Sequence, residues 1–400
     1  MAEWFRELDA LIGGLDESIR SAGKRVRSVL RDDDPIEILC YRGYGNSSAA
    51  IIHGRVLEQR GISPSGDHDS TLRNLINTWR RAEADPVELA EVAVTCAGGS
   101  LMVRGDNEGF FTGRLELGPP IDPNAEWITY AADLLSPVSV RGTVSGSGDV
   151  LIPPTSATFG VISDIDDTVI QSRVSSFLLA ARTVMLGNAR TRLPFPGVAA
   201  FYQALRAGAT GSEKNPIFYV SSSPWNIHDV ITEFMDLQKI PRGPVLLRDW
   251  DISLGALAAT RHLDHKGAAI RSIMAMYPLL PFILIGDTSQ HDPEIYRQIV
   301  GEFPGRIRAI YIRDVTRNEE RAASVSRLAD EIRTSHSTLV LAEDTLGAAK
   351  HAAEQGWIRA DALGDVHQEK RADEGATGEK VATPEGGAPS SGNAPTVINP

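Results

Sequence analysis

The stretch FGVISDIDDTVIQS, residues 159–172, decides the fold. Phe159, Val161 and Ile162 form an apolar run of strand character that ends directly in Asp164-Ile165-Asp166-Asp167-Thr168. In an open α/β sheet, ligands bind at the carboxyl ends of the strands. Carboxylates and a hydroxyl are thus delivered where such a site should lie, and packing needs none of them. Clustered carboxylates repel one another, and a divalent cation is the usual remedy.

Downstream, apolar runs alternate with helical patterns. Strands are expected at Phe159–Ser163, Ile217–Val220, Val245–Leu247, Phe282–Ile285 and Ile307–Ile312. Helices are expected at Val198–Ala207, Ile227–Leu237, Lys266–Met276 and Pro293–Glu302. Such alternation implies a parallel sheet with helical crossovers. A helix at Glu319–Thr334, a strand at Thr338–Leu341 and a helix at Thr345–Gln355 follow.

Upstream, the texture is that of short strands between turn-rich segments: Glu37–Tyr41, Ala49–Leu57, Glu91–Cys96, Ser100–Arg104, Gly113–Leu117, Trp127–Ala132 and Val138–Val144, with a helix at Leu72–Glu83. That pattern suggests a small sandwich or barrel. It carries no catalytic constellation and reads as a structural or recognition module. Before it, Trp4, Phe5, Leu8, Leu11, Ile12, Leu15 and Ile19 recur at helical spacing opposite an acidic face. Membrane-surface helices usually carry Lys and Arg on that face, so packing against the protein is favoured. The expected domains are an amphipathic helix at 1–35, a β-rich domain at 36–155, an α/β domain at 156–365, and a disordered tail at 366–400 that is rich in Gly, Ala, Pro, Ser, Glu and Lys.

The 400-residue chain carries a net charge of −12, which argues against nucleic acid as a partner. Cys40 and Cys96 are the only cysteines, too few for a disulfide framework, and read as buried thiols. The N-terminus lacks the basic and apolar regions of a signal peptide, and no apolar run is long enough to span a bilayer, so a cytoplasmic protein is expected.

Three further segments join the first. The second strand runs into Ser221-Ser222-Ser223-Pro224-Trp225-Asn226, where Pro224 suits the first turn of a helix. A hydroxyl beside free N–H groups at a helix start can hold a phosphate oxygen. Lys266, in His265-Lys266-Gly267, is a candidate fixed positive charge at another helix start. The fourth expected strand ends in Gly286-Asp287-Thr288-Ser289-Gln290-His291-Asp292, bringing two more carboxylates to a strand end. Taken singly, each is as readily a turn, a helix cap or a solvated lysine. Their joint order is far more specific.

That ordered set resembles the haloacid dehalogenase superfamily of phosphohydrolases: Asp-x-Asp-x-Thr (Asp164 to Thr168), Ser221, Lys266 and Gly-Asp-x-x-x-x-Asp (Gly286 to Asp292) match its four motifs in order over roughly Thr158 to Arg313. The implied fold is a Rossmann-like α/β catalytic domain beside a separate N-terminal β-rich domain. The resemblance implies that Asp164 attacks phosphorus to form an aspartyl-phosphate and that Asp166 serves as general acid and then base. It implies that Ser221, Ser222 and Lys266 hold the phosphoryl oxygens, with Thr168 and Asn226 in support. Mg²⁺ would be held by Asp164, the Asp166 carbonyl and Asp287, with Asp292 as a ligand or an outer partner.

The finer pattern is similar to the App1-like phosphatidate phosphatases. It includes Asp-Ile-Asp-Asp-Thr-Val-Ile, Tyr219-Val220-Ser221-Ser222-Ser223-Pro224-Trp225-Asn226, His265-Lys266 and Ile285-Gly286-Asp287-Thr288-Ser289-Gln290-His291-Asp292-Pro293-Glu294-Ile295-Tyr296. This implies hydrolysis of phosphatidate to diacylglycerol and phosphate, with a phosphorylated lipid at a membrane surface as partner and peripheral membrane contact. Residues 171–196 are too few for a large cap domain, which suits a bulky substrate. Phe177, Leu178, Leu179, Val184, Met185 and Leu186 are either acyl-chain contacts or the core of a short helix. Trp225 is either a substrate contact or a helix-start anchor. A same-mechanism phosphatase for a non-lipid ester and a non-enzymatic phosphate- or lipid-binding protein are the alternatives. Asp167 fits neither catalytic role and is expected to cap a helix or face solvent.

Overall fold

The protein is represented by a computed structural model that describes residues 35–58, 84–118, 121–139, 141–170, 195–248, 265–315, 318–333, 337–342 and 344–378. Among the described residues, thirteen strands form two sheets. The first holds β1 (Ile36–Gly45), β2 (Ala49–Glu58), β3 (Glu91–Cys96), β4 (Gly99–Arg104), β5 (Phe110–Glu116), β6 (Trp127–Ser136) and β7 (Ser145–Leu151) in the order β4-β3-β6-β7-β1-β2-β5. Its pairs are antiparallel except β1 with β7. Apolar residues alternate inward, as in β3, where Val92, Val94 and Cys96 are buried.

Two glycines explain why the seventh strand lies at Ser145–Leu151 rather than at 138–144, where Val138 is exposed. A Cβ at Gly148 would meet the Tyr130 ring at 2.6 Å, and one at Gly146 would meet the Ile38 carbonyl at 2.7 Å. The strand needs glycine for close approach, which hides it from a reading based on strand propensity. Tyr130 is fully buried, and its hydroxyl lies 2.8 Å from the Tyr41 carbonyl and 2.7 Å from that of His53.

The second sheet contains β8 (Gly160–Asp164), β9 (Ile217–Pro224), β10 (Val245–Arg248), β11 (Phe282–Asp287), β12 (Ile307–Arg313) and β13 (Thr338–Ala342). Its order is β10-β9-β8-β11-β12-β13, and every pair is parallel. From β8 the chain moves outward through β9 to β10, then returns to β8's other side with β11. That reversal makes the β8/β11 junction the switch point, whose carboxyl-end crevice is the usual ligand position. The helices are α1 (Val198–Ala207), α2 (His228–Leu237), α3 (His265–Met276), α4 (Asp292–Glu302), α5 (Glu319–Arg333), α6 (Thr345–Glu354) and α7 (Ala362–Gly378).

Two boundaries differ from the sequence reading. Pro224 ends β9, a short 3₁₀ turn at Trp225–Ile227 follows, and α2 begins only at His228. The expected tail from 366 is helical to 378. Val366 of α7 is fully buried, and Glu369 and Asp373 accept hydrogen bonds from the Ala200 (2.7 Å) and Gly197 (3.1 Å) N–H groups at the start of α1. Docking holds this helix, and its low apolar content conceals it. Residues 1–34 of the expected N-terminal helix, the expected helix at 72–83, the apolar segment 177–186 and the tail beyond 378 lie outside the described residues.

The first sheet has its own core, including Ile52, Val56, Val92, Val94 and Tyr130. Its other face lends Tyr41, Tyr44, Ile51, Phe110 and Leu151 to the core of the second sheet. Polar contacts accompany this shared face: Tyr44 with Ser272 (2.9 Å), Arg206 with Glu126 (2.6 Å) and Arg42 with Asp236 (3.1 Å). Cys40 and Cys96 are free thiols, and burial pushes Cys40 up to about 12. Among the described residues no helix is long and apolar enough to cross a membrane. Because the Tyr130 hydroxyl satisfies buried carbonyls, Tyr130→Phe is expected to lower stability by about 1–2 kcal/mol in denaturant titration, with the fold retained.

Candidate active site

Asp164 ends β8 and Asp287 ends β11, so both carboxylates stand at the switch point. Asp292 opens α4. Carboxylate oxygens of the three lie within 4.8 Å of one another, and all three residues are buried. Lys266, in the first turn of α3, reaches Asp164 Oδ1 and Asp292 Oδ1, each at 2.7 Å. Its Nζ also donates to Gln290 Oε1 at 3.0 Å.

Electrostatics follow from this crowding. Burial pushes the Asp164 carboxyl well up, Lys266 opposes the shift, and Asp292, Asp166 and Asp287 add to it. Asp287 is likewise raised by burial and by Asp292. Burial works against the Lys266 ammonium, but Asp164 and Asp292 outweigh it and hold the cation firmly charged. Three carboxylates against one ammonium leave excess negative charge in a water-poor pocket, the donor set that suits a hard divalent cation. Asp292 Oδ1 takes Lys266, and its Oδ2 accepts from the Asp287 N–H at 3.3 Å, which orients the end of β11. Asp164 Oδ1 takes the same Lys266, so the three acids stand together as candidate ligands.

The other residues singled out in the sequence divide sharply. Thr168 sits 3.4 Å from both Asp164 Oδ2 and Asp287 Oδ2 and ties the first loop to the fourth. Ser221 is buried, and its hydroxyl donates to Asp166 Oδ2 at 2.5 Å. Ser223, which the sequence did not mark, donates to the same oxygen at 3.0 Å, and its N–H donates to Ser221 Oγ at 2.8 Å. Ser222 is exposed and takes no part in this network. The side chain of Asn226 lies outside the described residues. Asp167 adopts a left-handed conformation (φ 57°), tolerable for Asp, and accepts from Ser289 Oγ at 3.3 Å. It joins two loops rather than capping a helix. Trp225 is 3% exposed, so it is an anchor and not a surface for substrate.

Three residues had no role in the sequence reading. Arg321 of α5 clasps the loop between Asp287 and Asp292, donating to the Thr288 carbonyl (3.1 Å) and the Gln290 carbonyl (2.7 Å) while pairing with Glu294. Arg313 ends β12 beside Asp287, donates to Thr345 Oγ1 at 2.8 Å, and lies 4.1 Å from the Phe195 ring centroid. Burial lowers it to about 10, so it stays cationic at neutral pH. Tyr296 anchors α4 to β11 by donating to the Ile285 carbonyl at 2.8 Å. Lone arginines in a charged helix or at a strand end give no periodic cue. Gly286 was visible as a tight exit, and its reason is now clear: a Cβ there would meet Asp292 Oδ2 at 2.6 Å.

Acid, hydroxyl and lysine groups gathered at the carboxyl ends of parallel strands form a site suited to handling a phosphoryl group. Residues 159–314 match the family model described as phosphatidate phosphatase APP1, catalytic domain, and this segment is similar to that family. Phosphatidate phosphatase APP1 of Saccharomyces cerevisiae is 27% identical over 220 residues, covering 54% of this chain and 33% of that protein. A Schizosaccharomyces pombe protein described as uncharacterized is 31% identical over 161 residues, 39% of this chain and 25% of its own length. The matches thus span a third or less of these relatives. Among solved structures, a carbohydrate acetylesterase from Xanthomonas citri aligns at a TM-score of 0.23 with 13% identity, covering 76% of this chain and 75% of that one, a likeness too slight to bear on the fold.

Replacing Arg321 by Ala frees the loop carrying the candidate ligands. Mn²⁺ binding followed by electron paramagnetic resonance is expected to weaken by about tenfold or more, as for outer partners of metal ligands generally. The raised carboxyls also set a pH dependence. Between the ordinary aspartate pKa and their raised values, the folded cation-free protein holds more protons than the unfolded chain. Its stability therefore falls as pH rises through that window. A divalent cation binds the deprotonated form, so the rise in melting temperature on adding Mg²⁺ is expected to be larger at pH 7.5 than at pH 5.5, and to be lost in Asp287→Asn.

Proposed function

We propose that this chain is a Mg²⁺-dependent phosphatidate phosphatase of the haloacid dehalogenase type, built on a Rossmann-like catalytic domain. The observation that carries the reading is the convergence of Asp164, Asp287, Asp292 and Lys266 at the switch point within an App1-like segment. Asp164 supplies the nucleophile: one carboxylate oxygen forms a bond to phosphorus while the bond to the glycerol oxygen breaks. Asp166 gives that leaving oxygen its proton, releasing diacylglycerol. It then takes a proton from the water that attacks the aspartyl-phosphate, which frees inorganic phosphate and restores Asp164. A bound Mg²⁺ would offset charge between the carboxylates and the phosphate dianion, with Asp164, the Asp166 carbonyl and Asp287 as its protein ligands.

The hydrogen bonds from Ser221 and Ser223 hold the Asp166 carboxyl group in place between turns. In the substrate complex the Ser221 hydroxyl turns to a phosphoryl oxygen. Lys266 stays charged because two carboxylates flank it, and it neutralises the oxygens of the transferring group. Lipid access at a membrane surface is part of the same proposal, as is peripheral residence there.

The test is phosphate release by the purified chain, comparing phosphatidate in mixed micelles with a soluble aryl phosphate, with and without Mg²⁺. Preference for phosphatidate is expected, with activity lost in EDTA and reduced at least about a thousandfold in Asp164→Asn. Cleavage of the soluble ester alone would retain the chemistry and remove the lipid. Cleavage of neither with Mg²⁺ present would leave a binding protein.

A further inference from the structure

Ser221 and Ser223 stand at the carboxyl end of β9, and the geometry there matters because both hydroxyls meet one oxygen of Asp166. This end of β9 pairs with β10 through an irregular register between Leu246 and Arg248, so the sheet ladder holds it less firmly than the earlier part of the strand. Two residues past Ser223, the chain is fixed by Trp225. That indole stacks on Tyr41 of β1 (centroids 4.5 Å apart, planes 16° apart) and on Phe110 of β5 (5.8 Å, 23°). His228 packs against both Trp225 (4.7 Å) and Tyr41 (4.3 Å). The Arg55 guanidinium of β2 covers the Phe110 ring at 4.5 Å and is steadied by the Glu108 carbonyl at 3.0 Å. Three strands of the first sheet thus build an aromatic seat, and the second sheet contributes the tryptophan beside its candidate phosphate-binding strand end.

Docking of the two sheets does not need an aromatic stack at this point. Tyr44 with Ser272, Asn46 with the Met276 carbonyl (3.1 Å), and Arg206 with Glu126 already join them elsewhere. We propose that the β-rich module is a working part of the candidate active site, with Tyr41 and Phe110 as positioning residues that hold the Ser221–Ser223 end of β9 through Trp225. This rests on the reading of that strand end as a phosphoryl-binding element. Loosening the seat lets Ser221 and Ser223 drift from their positions on Asp166, and misplacements of that kind are felt in the chemical step more than in substrate capture.

The experiment uses the full chain with Tyr41→Leu and Phe110→Leu, which keep an apolar side chain of somewhat smaller volume but remove the stacked ring. Tyr41→Phe retains the ring, and Tyr44→Phe removes only the hydroxyl bonded to Ser272. Each leucine variant is expected to lower kcat on the order of tenfold with phosphatidate and with the aryl phosphate, while KM moves about twofold or less. Hydrogen exchange should accelerate in the 221–225 peptide and not in peptides covering 160–164 or 282–287. Tyr41→Phe should recover most of the lost kcat, and Tyr44→Phe should keep the parent value. Folded leucine variants with parental kcat and parental exchange at 221–225 would overturn the proposal. If the parent chain cleaves neither substrate, the functional reading fails, and the exchange comparison alone decides the seat. If the leucine variants do not melt cooperatively, native-state exchange of the parent in low denaturant decides. The amides of 221–225 should open together with those of β1 and β5, and opening independent of them would refute the coupling.

Discussion

Mutual repulsion among Asp164, Asp287 and Asp292 is the constraint on which the second sheet depends. No packing preference would bring three carboxylates into one buried crevice. They are held there by features that each have an identifiable place: Gly286 leaves room for Asp292, Tyr296 fixes α4 to β11, and Lys266 bridges two of the acids. Thr168 and Arg321 then tie the first and fourth loops to that frame. Two of the acids stand at strand ends and the third opens α4, so regular elements carry this charge.

Much of the second sheet was legible. Apolar runs that stop abruptly at Asp164 and Asp287 have the form of buried strands that end at a polar crevice, and helices such as Val198–Ala207 show clean periodicity. The first sheet was legible except where glycine replaced β-branched residues, as in Ser145–Leu151. Propensity rewards side chains that fill space, whereas Gly148 is needed to leave space for Tyr130. Helix α7 failed for a related reason: one buried valine and two carboxylates that meet α1 are tertiary information.

The candidate site was legible in its acids, its lysine and Ser221, whose spacing from strand ends is local. Choosing between Ser222 and Ser223 was not local. On an ideal extended strand alternate residues face the same side, which pairs Ser221 with Ser223 and turns Ser222 outward, but the sequence reading had ended the strand at Val220. The part played by Trp225 depended on Tyr41 and Phe110, far away in sequence. A single chain read alone contains no record of such meetings.

The central position of β8 has a consequence for how the molecule is made. One edge of β8 pairs with β9 soon after it in sequence, and the other must wait for β11, more than a hundred residues on. Long-range parallel pairing of this sort is slow and leaves unpaired strand edges exposed in the meantime. During synthesis Asp164 therefore remains at an open, solvated edge until β11 arrives with Asp287, and the acids are crowded only in the closing steps. The interval between β10 and β11 is the period in which a nascent chain would be most exposed to wrong pairing at β8, and in which a chaperone would have the most to protect.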